Sequence, residues 1–60
     1  MTMNLPSDPI MLLSFVNTKL RDDYSSLDEF CSSLGADKDD ICAKLAEVNY
    51  IYDEELNKFV

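Results

Sequence analysis

A single glycine, Gly35, punctuates the chain, and it falls between two stretches that each carry a helix signature. Before it, Leu27, Phe30, Cys31 and Leu34 recur at i, i+3, i+4 and i+7, which is one apolar face of a helix. After it, Ile41, Leu45 and Val48 recur at i, i+4 and i+7, flanked by Cys42 and Ala46. Gly35 sits just past the last apolar position of the first stretch. There a helix turns off through the left-handed conformation, which glycine adopts without steric cost. With one glycine and two prolines in 60 residues, the chain has little material for long loops. Helices joined by short connections are what remains.

The start signals agree with that reading. Ser26-Leu27-Asp28-Glu29 is a capping-box pattern, in which Ser26 and Glu29 are expected to satisfy each other's unpaired amides. Asp37 is placed to cap the following helix, with Asp39 and Asp40 in its first turn at the positive end of the helix dipole. Upstream, Ser7-Asp8-Pro9 offers an acceptor at the N-cap and a proline at the first helical position, where its missing N–H is harmless. The helix that follows runs from Ile10 to Arg21 and exits at Asp22-Asp23. Leu12, Leu13, Val16 and Leu20 are expected to face the core, and Met11 and Phe15 form a second apolar pair displaced around the helix.

After Asn49, a suitable residue for a helix end, Tyr50-Ile51-Tyr52 alternates as a strand. Asp53 to Asn57 reads as a turn bounded by Asx residues, and Lys58-Phe59-Val60 returns antiparallel. An isolated two-stranded ribbon is marginal in water, so Tyr52 and Phe59 are expected to fold back onto the helices. The fold class is mainly α: a three-helix, helix–turn–helix-like bundle with a short C-terminal β-hairpin, a miniature winged-helix-like layout. Residues 1–4 are expected to fray, and residues 5–60 to form a single small globular domain.

Charge bears on the choice of partner. Five Lys and Arg stand against 12 Asp and Glu, giving a net charge of −7 with no histidine. In a helix–turn–helix DNA reader, the start of the second helix presents basic or amide side chains to base edges. Here that segment is Asp37-Lys38-Asp39-Asp40, and residues 26–48 carry six carboxylates against Lys38 and Lys44. Carboxylates set against phosphates forfeit the counterion release that drives non-specific affinity, so nucleic acid is not an expected partner. No apolar run is long enough to span a bilayer, and the first residues lack the basic stretch and apolar core of a signal peptide. The expected setting is cytoplasmic.

Chemistry is sparse. Without histidine the usual proton shuttle at neutral pH is missing, and no base stands beside the serine and threonine hydroxyls. Asp37-Lys38-Asp39-Asp40 superficially resembles the start of a calcium loop, but Cys42 and Val48 stand where the loop's glycine and bidentate glutamate belong. Cys31 and Cys42 lack CxxC spacing and fall short of a four-ligand zinc site without histidine. Their separation leaves a disulfide open, with two reduced, buried thiols the expected state. Neither enzymatic activity nor a cofactor is expected.

Taken whole, Leu5-Pro6-Ser7-Asp8-Pro9, Leu12 to Asp22, Tyr24 to Asp28, and Tyr50-Ile51-Tyr52-Asp53 with Asn57 and Phe59 resemble a family of short bacterial proteins classed as a domain of unknown function. The most specific part is Val16-Asn17-Thr18-Lys19-Leu20-Arg21-Asp22, and the likeness covers residues 5 to 60. It implies a bacterial, stand-alone, cytosolic protein. It carries over no activity, cofactor or site.

Two features of the first helix are candidates for an interaction surface. Ile10, Met11, Leu12, Leu13, Phe15 and Val16 are too many apolar residues on successive turns to face one small core. Met11 and Phe15 are left over, either for association with a partner, most simply a second copy, or to be covered by the C-terminal hairpin. Asn17, Lys19 and Arg21 have two readings as well. Asn17 either bonds a backbone group of the hairpin while the two cations balance nearby acids, or the three form a compact spot able to grip an acidic peptide or a phosphate group. The expected function is a protein–protein interaction or self-association module without catalysis. The alternative is a degenerate winged-helix-type regulator that contacts nucleic acid only within a larger assembly.

Overall fold

The computed structural model describes residues 5–60, so the expected frayed segment 1–4 lies outside the described residues. The element order is α1 (Pro9–Asp22), α2 (Leu27–Leu34), α3 (Lys38–Ala46), β1 (Tyr52–Asp53) and β2 (Lys58–Phe59). Among the described residues the fold is mainly α, three helices closed by a two-stranded antiparallel hairpin.

Each helix begins on a side chain that accepts a main-chain N–H. Asp8 Oδ2 takes the Met11 amide at 3.0 Å, with Pro9 leading the helix. Ser26 Oγ takes the Glu29 amide at 3.1 Å. Asp37 Oδ1 takes the amides of Asp39 and Asp40 at 3.0 and 3.4 Å. The reciprocal half of the capping box departs from expectation: Glu29 Oε2 accepts from the Ser25 hydroxyl at 2.7 Å rather than reaching back to the Ser26 amide.

Helix ends follow the sequence in two cases. Gly35 adopts φ 67° and lets the Ala36 amide reach the Cys31 carbonyl at 2.9 Å, closing the end of α2. Asn49 is also left-handed, at φ 67°, but α3 stops at Ala46 and a turn intervenes. There the Tyr50 amide returns to the Leu45 carbonyl at 2.9 Å, and Val48 is half-buried in the turn rather than on a helical stripe.

The core comprises Leu12, Val16 and Leu20 from α1, Leu27, Phe30 and Cys31 from α2, Ile41 and Leu45 from α3, and Phe59 from β2. Leu13 was expected there and is only half-buried, because the strict i, i+4 line of Leu12, Val16 and Leu20 already fills the seam. Phe15, read as either left for a partner or covered by the hairpin, packs instead against α2. Its ring packs edge-on to Phe30 at 6.4 Å, in an aromatic group that Tyr24 joins at 5.5 Å from Phe30. The hairpin covers neither Met11 nor Phe15; its inner residues Tyr52 and Phe59 pair across the strands, 5.5 Å ring to ring, and Phe59 enters the core.

Cys31 and Cys42 are free thiols, but only Cys31 is buried and Cys42, expected to be, is half-buried; desolvation pushes both above the ordinary thiol pKa. Among the described residues no helix is long and apolar enough to cross a membrane.

Candidate functional site

The five residues singled out on α1 divide between two sides of the helix. Met11, Phe15 and Lys19 follow one another at i, i+4 and i+8 and so line one stripe. Met11 is 63% exposed and neighbouring Ile10 54%, while Phe15 lies half-buried beneath them. The Lys19 ammonium stands 5.8 Å from the centre of the Phe15 ring and 3.3 Å from Asp23 Oδ2. Pro6, Ser14 and Thr18 complete a shallow apolar groove along this face. No carboxylate occurs between Pro9 and Arg21, so the residues lining the groove carry none, while Asp8 sits at its start on the Met11 amide and Asp23 pairs with Lys19 at its end.

Asn17 faces the other way and is held by the hairpin. Its Oδ1 accepts the Phe59 amide at 2.8 Å, and its Nδ2 donates to the Phe59 carbonyl at 3.2 Å. An antiparallel strand lying beside β2 would make that same pair of bonds. Arg21 lies further along the same side and forms a bidentate pair with Asp22, at 2.9 and 3.0 Å. Hydrogen bonding to Asp22 raises the Arg21 pKa, and the same bond lowers that of the carboxyl. With the Arg21 side chain 73% exposed, this pair orders a surface more than it stabilises one. Asn17, Lys19 and Arg21 therefore do not converge on one spot.

Sequence reasoning did not single out the Tyr52–Asn57 pair. The Tyr52 hydroxyl donates to Asn57 Oδ1 at 2.6 Å and accepts the Leu27 amide at 3.2 Å. Asn57 Nδ2 donates to the carbonyls of Leu20 and Tyr24, both at 3.0 Å. One side-chain pair thus joins the end of α1, the corner after it and the start of α2 to the hairpin. Asn57 is left-handed, at φ 53°, which an asparagine tolerates and which aims its amide inward. A lone asparagine ending an acidic turn was the available signal, and it also fits an ordinary turn residue.

Every buried polar side-chain atom among the described residues has a hydrogen-bond partner, and no three His, Cys, Asp or Glu side chains converge to hold a metal ion. A family model for a domain of unknown function, DUF4250, matches residues 6–59. The chain belongs to the DUF4250 family. The match runs along this chain from the proline before α1 to the buried phenylalanine of β2 and takes in both asparagines that tie the hairpin. No curated protein and no solved structure matches the chain.

Proposed function

We propose that this DUF4250 chain is a small protein-binding module without catalytic activity, and that it associates with a second copy of itself through the exposed face of α1. The observation that carries the reading is the exposed apolar pair Ile10 and Met11 beside the half-buried Phe15, unbroken by any carboxylate from Pro9 to Arg21. Two copies of a chain with net charge −7 repel, and they meet at least cost where acids are absent. Flexible methionine and aromatic side chains suit such a contact. The exposed area is small, so association is expected to be weak and concentration-dependent.

Light scattering after gel filtration tests this on the wild type and on Met11→Glu. Met11 is largely exposed, so the variant is expected to keep its helical spectrum and melting midpoint while shifting from dimer to monomer. A wild type that stays monomeric at high concentration rejects self-association. Phe15 is a poorer probe, since its replacement also removes the packing against Phe30.

A further inference from the structure

The two edges of the hairpin are treated differently. Ile51 and Val60 exchange both main-chain hydrogen bonds, at 3.0 and 2.9 Å, so the next pair in register, Tyr52 and Phe59, is the non-hydrogen-bonded kind. The N–H and C=O of both residues then point outward, away from the partner strand. On the β2 side the Asn17 carboxamide takes both groups of Phe59. On the β1 side no hydrogen bond among the described residues reaches the N–H or C=O of Tyr52. One edge of the ribbon is closed by a side chain, and the other is open.

What surrounds the open edge selects an occupant. Ile51, 71% exposed, and Val60, 50% exposed, lie side by side on the outer face of the ribbon. Beneath the edge, an apolar groove runs toward α3 between Tyr50, Cys42 and Ala46. At the far end of β1 stand Asp53, Glu54 and Glu55, and none of these carboxylates has an ion pair among the described residues. We propose that β1 accepts an added strand from a partner protein: an extended segment whose central residue exchanges both main-chain bonds with Tyr52, with an apolar side chain in the groove, another beside Ile51, and a Lys or Arg beside Asp53 and Glu54. Strand addition draws affinity from the main chain and specificity from alternate side chains. The acidic end of the ribbon favours a cationic segment over a second copy of this chain, which would bring the same three carboxylates to the edge again. This surface is separate from the α1 face, and the two proposals stand or fall independently.

Selection of random linear peptides displayed on phage against the wild-type protein tests the proposal. Enriched peptides are expected to place Lys or Arg next to alternating apolar residues. They are expected to slow exchange of the Tyr52 amide, and to lose binding when the amide facing Tyr52 is N-methylated. Reversing charge with Glu54→Lys/Glu55→Lys, at two exposed side chains, is expected to weaken them about tenfold. Failure to enrich any peptide overturns the proposal, as do peptides that tolerate N-methylation at every position or protect α1 instead. A Tyr52 amide already protected by self-association of the peptide-free protein overturns it as well.

Discussion

Asn17 and Asn57 hold the hairpin to the helices through main-chain hydrogen bonds, and both reach partners more than thirty residues away, at separations of 42, 37 and 33. Asn17→Ala removes two such bonds and leaves an amide and a carbonyl of the buried Phe59 without their partners. The expected loss is about 2 kcal/mol, which in a domain this small lowers the melting midpoint by roughly 10 °C. A shift of a degree or less in a thermal melt followed by circular dichroism rejects the assigned role. Cys31 makes a different kind of prediction. Burial raises its thiol pKa above the ordinary value of 9.0, so the unfolded chain ionises first as the pH rises. The stabilisation is fully present below that value and is lost as the pH rises from it through the raised value of the folded chain. Thermal melts across that range are expected to show an alkaline decline that is shallower in Cys31→Ala. Thiol reagents are expected to modify Cys31 only on unfolding.

At the scale of elements, the helix starts were legible in the sequence because each depends on residues within one turn. Asp8, Ser26 and Asp37 cap where their spacing to the following apolar run places them. Ser26→Ala is expected to cost about 1 kcal/mol, or roughly 4–8 °C in midpoint. Glu29→Gln is expected to change little, since its carboxylate meets only the exposed Ser25 hydroxyl. Gly35→Ala forces a β-carbon into a left-handed position and is expected to cost about 1–2 kcal/mol. The end of α3 was less legible, because Asn49 and Tyr50 reach back to carbonyls on Ala46 and Leu45 and shorten the helix that their periodicity suggests. Least legible was the seating of the hairpin. Tyr52 and Asn57 find each other, and then Leu20, Tyr24 and Leu27, only once the helices have packed, and no local pattern encodes that. The candidate surface was legible in the same proportion. Surplus apolar residues on α1 pointed to Met11, while the turning inward of Phe15 and Asn17 depended on what α2 and β2 place opposite them.

For the whole molecule, charge is the dominant surface property. A net charge of −7 on 60 residues sets carboxylates against one another, and only three ion pairs, all exposed, offset them among the described residues. Added sodium chloride is expected to raise the melting midpoint by a few degrees, mostly below about 0.15 M, where the screening length is longest. A midpoint that falls with salt would show that the pairs Lys19–Asp23 and Lys38–Asp28 outweigh the general repulsion. The same experiment on Met11→Glu separates the fold's own response from that of the proposed association.

The Tyr52–Asn57 tie also sets the order of events when the chain is made. The corner between α1 and α2, and the core facet beneath Phe59, are both completed by residues near the far end of the sequence. On a ribosome, the three helices emerge before the residues that latch them, and until residue 59 is clear of the tunnel the core lacks Phe59 and the corner after α1 lacks its tie. Folding is therefore expected to complete late, with the exposed apolar turns of α1 open to chaperones throughout that interval.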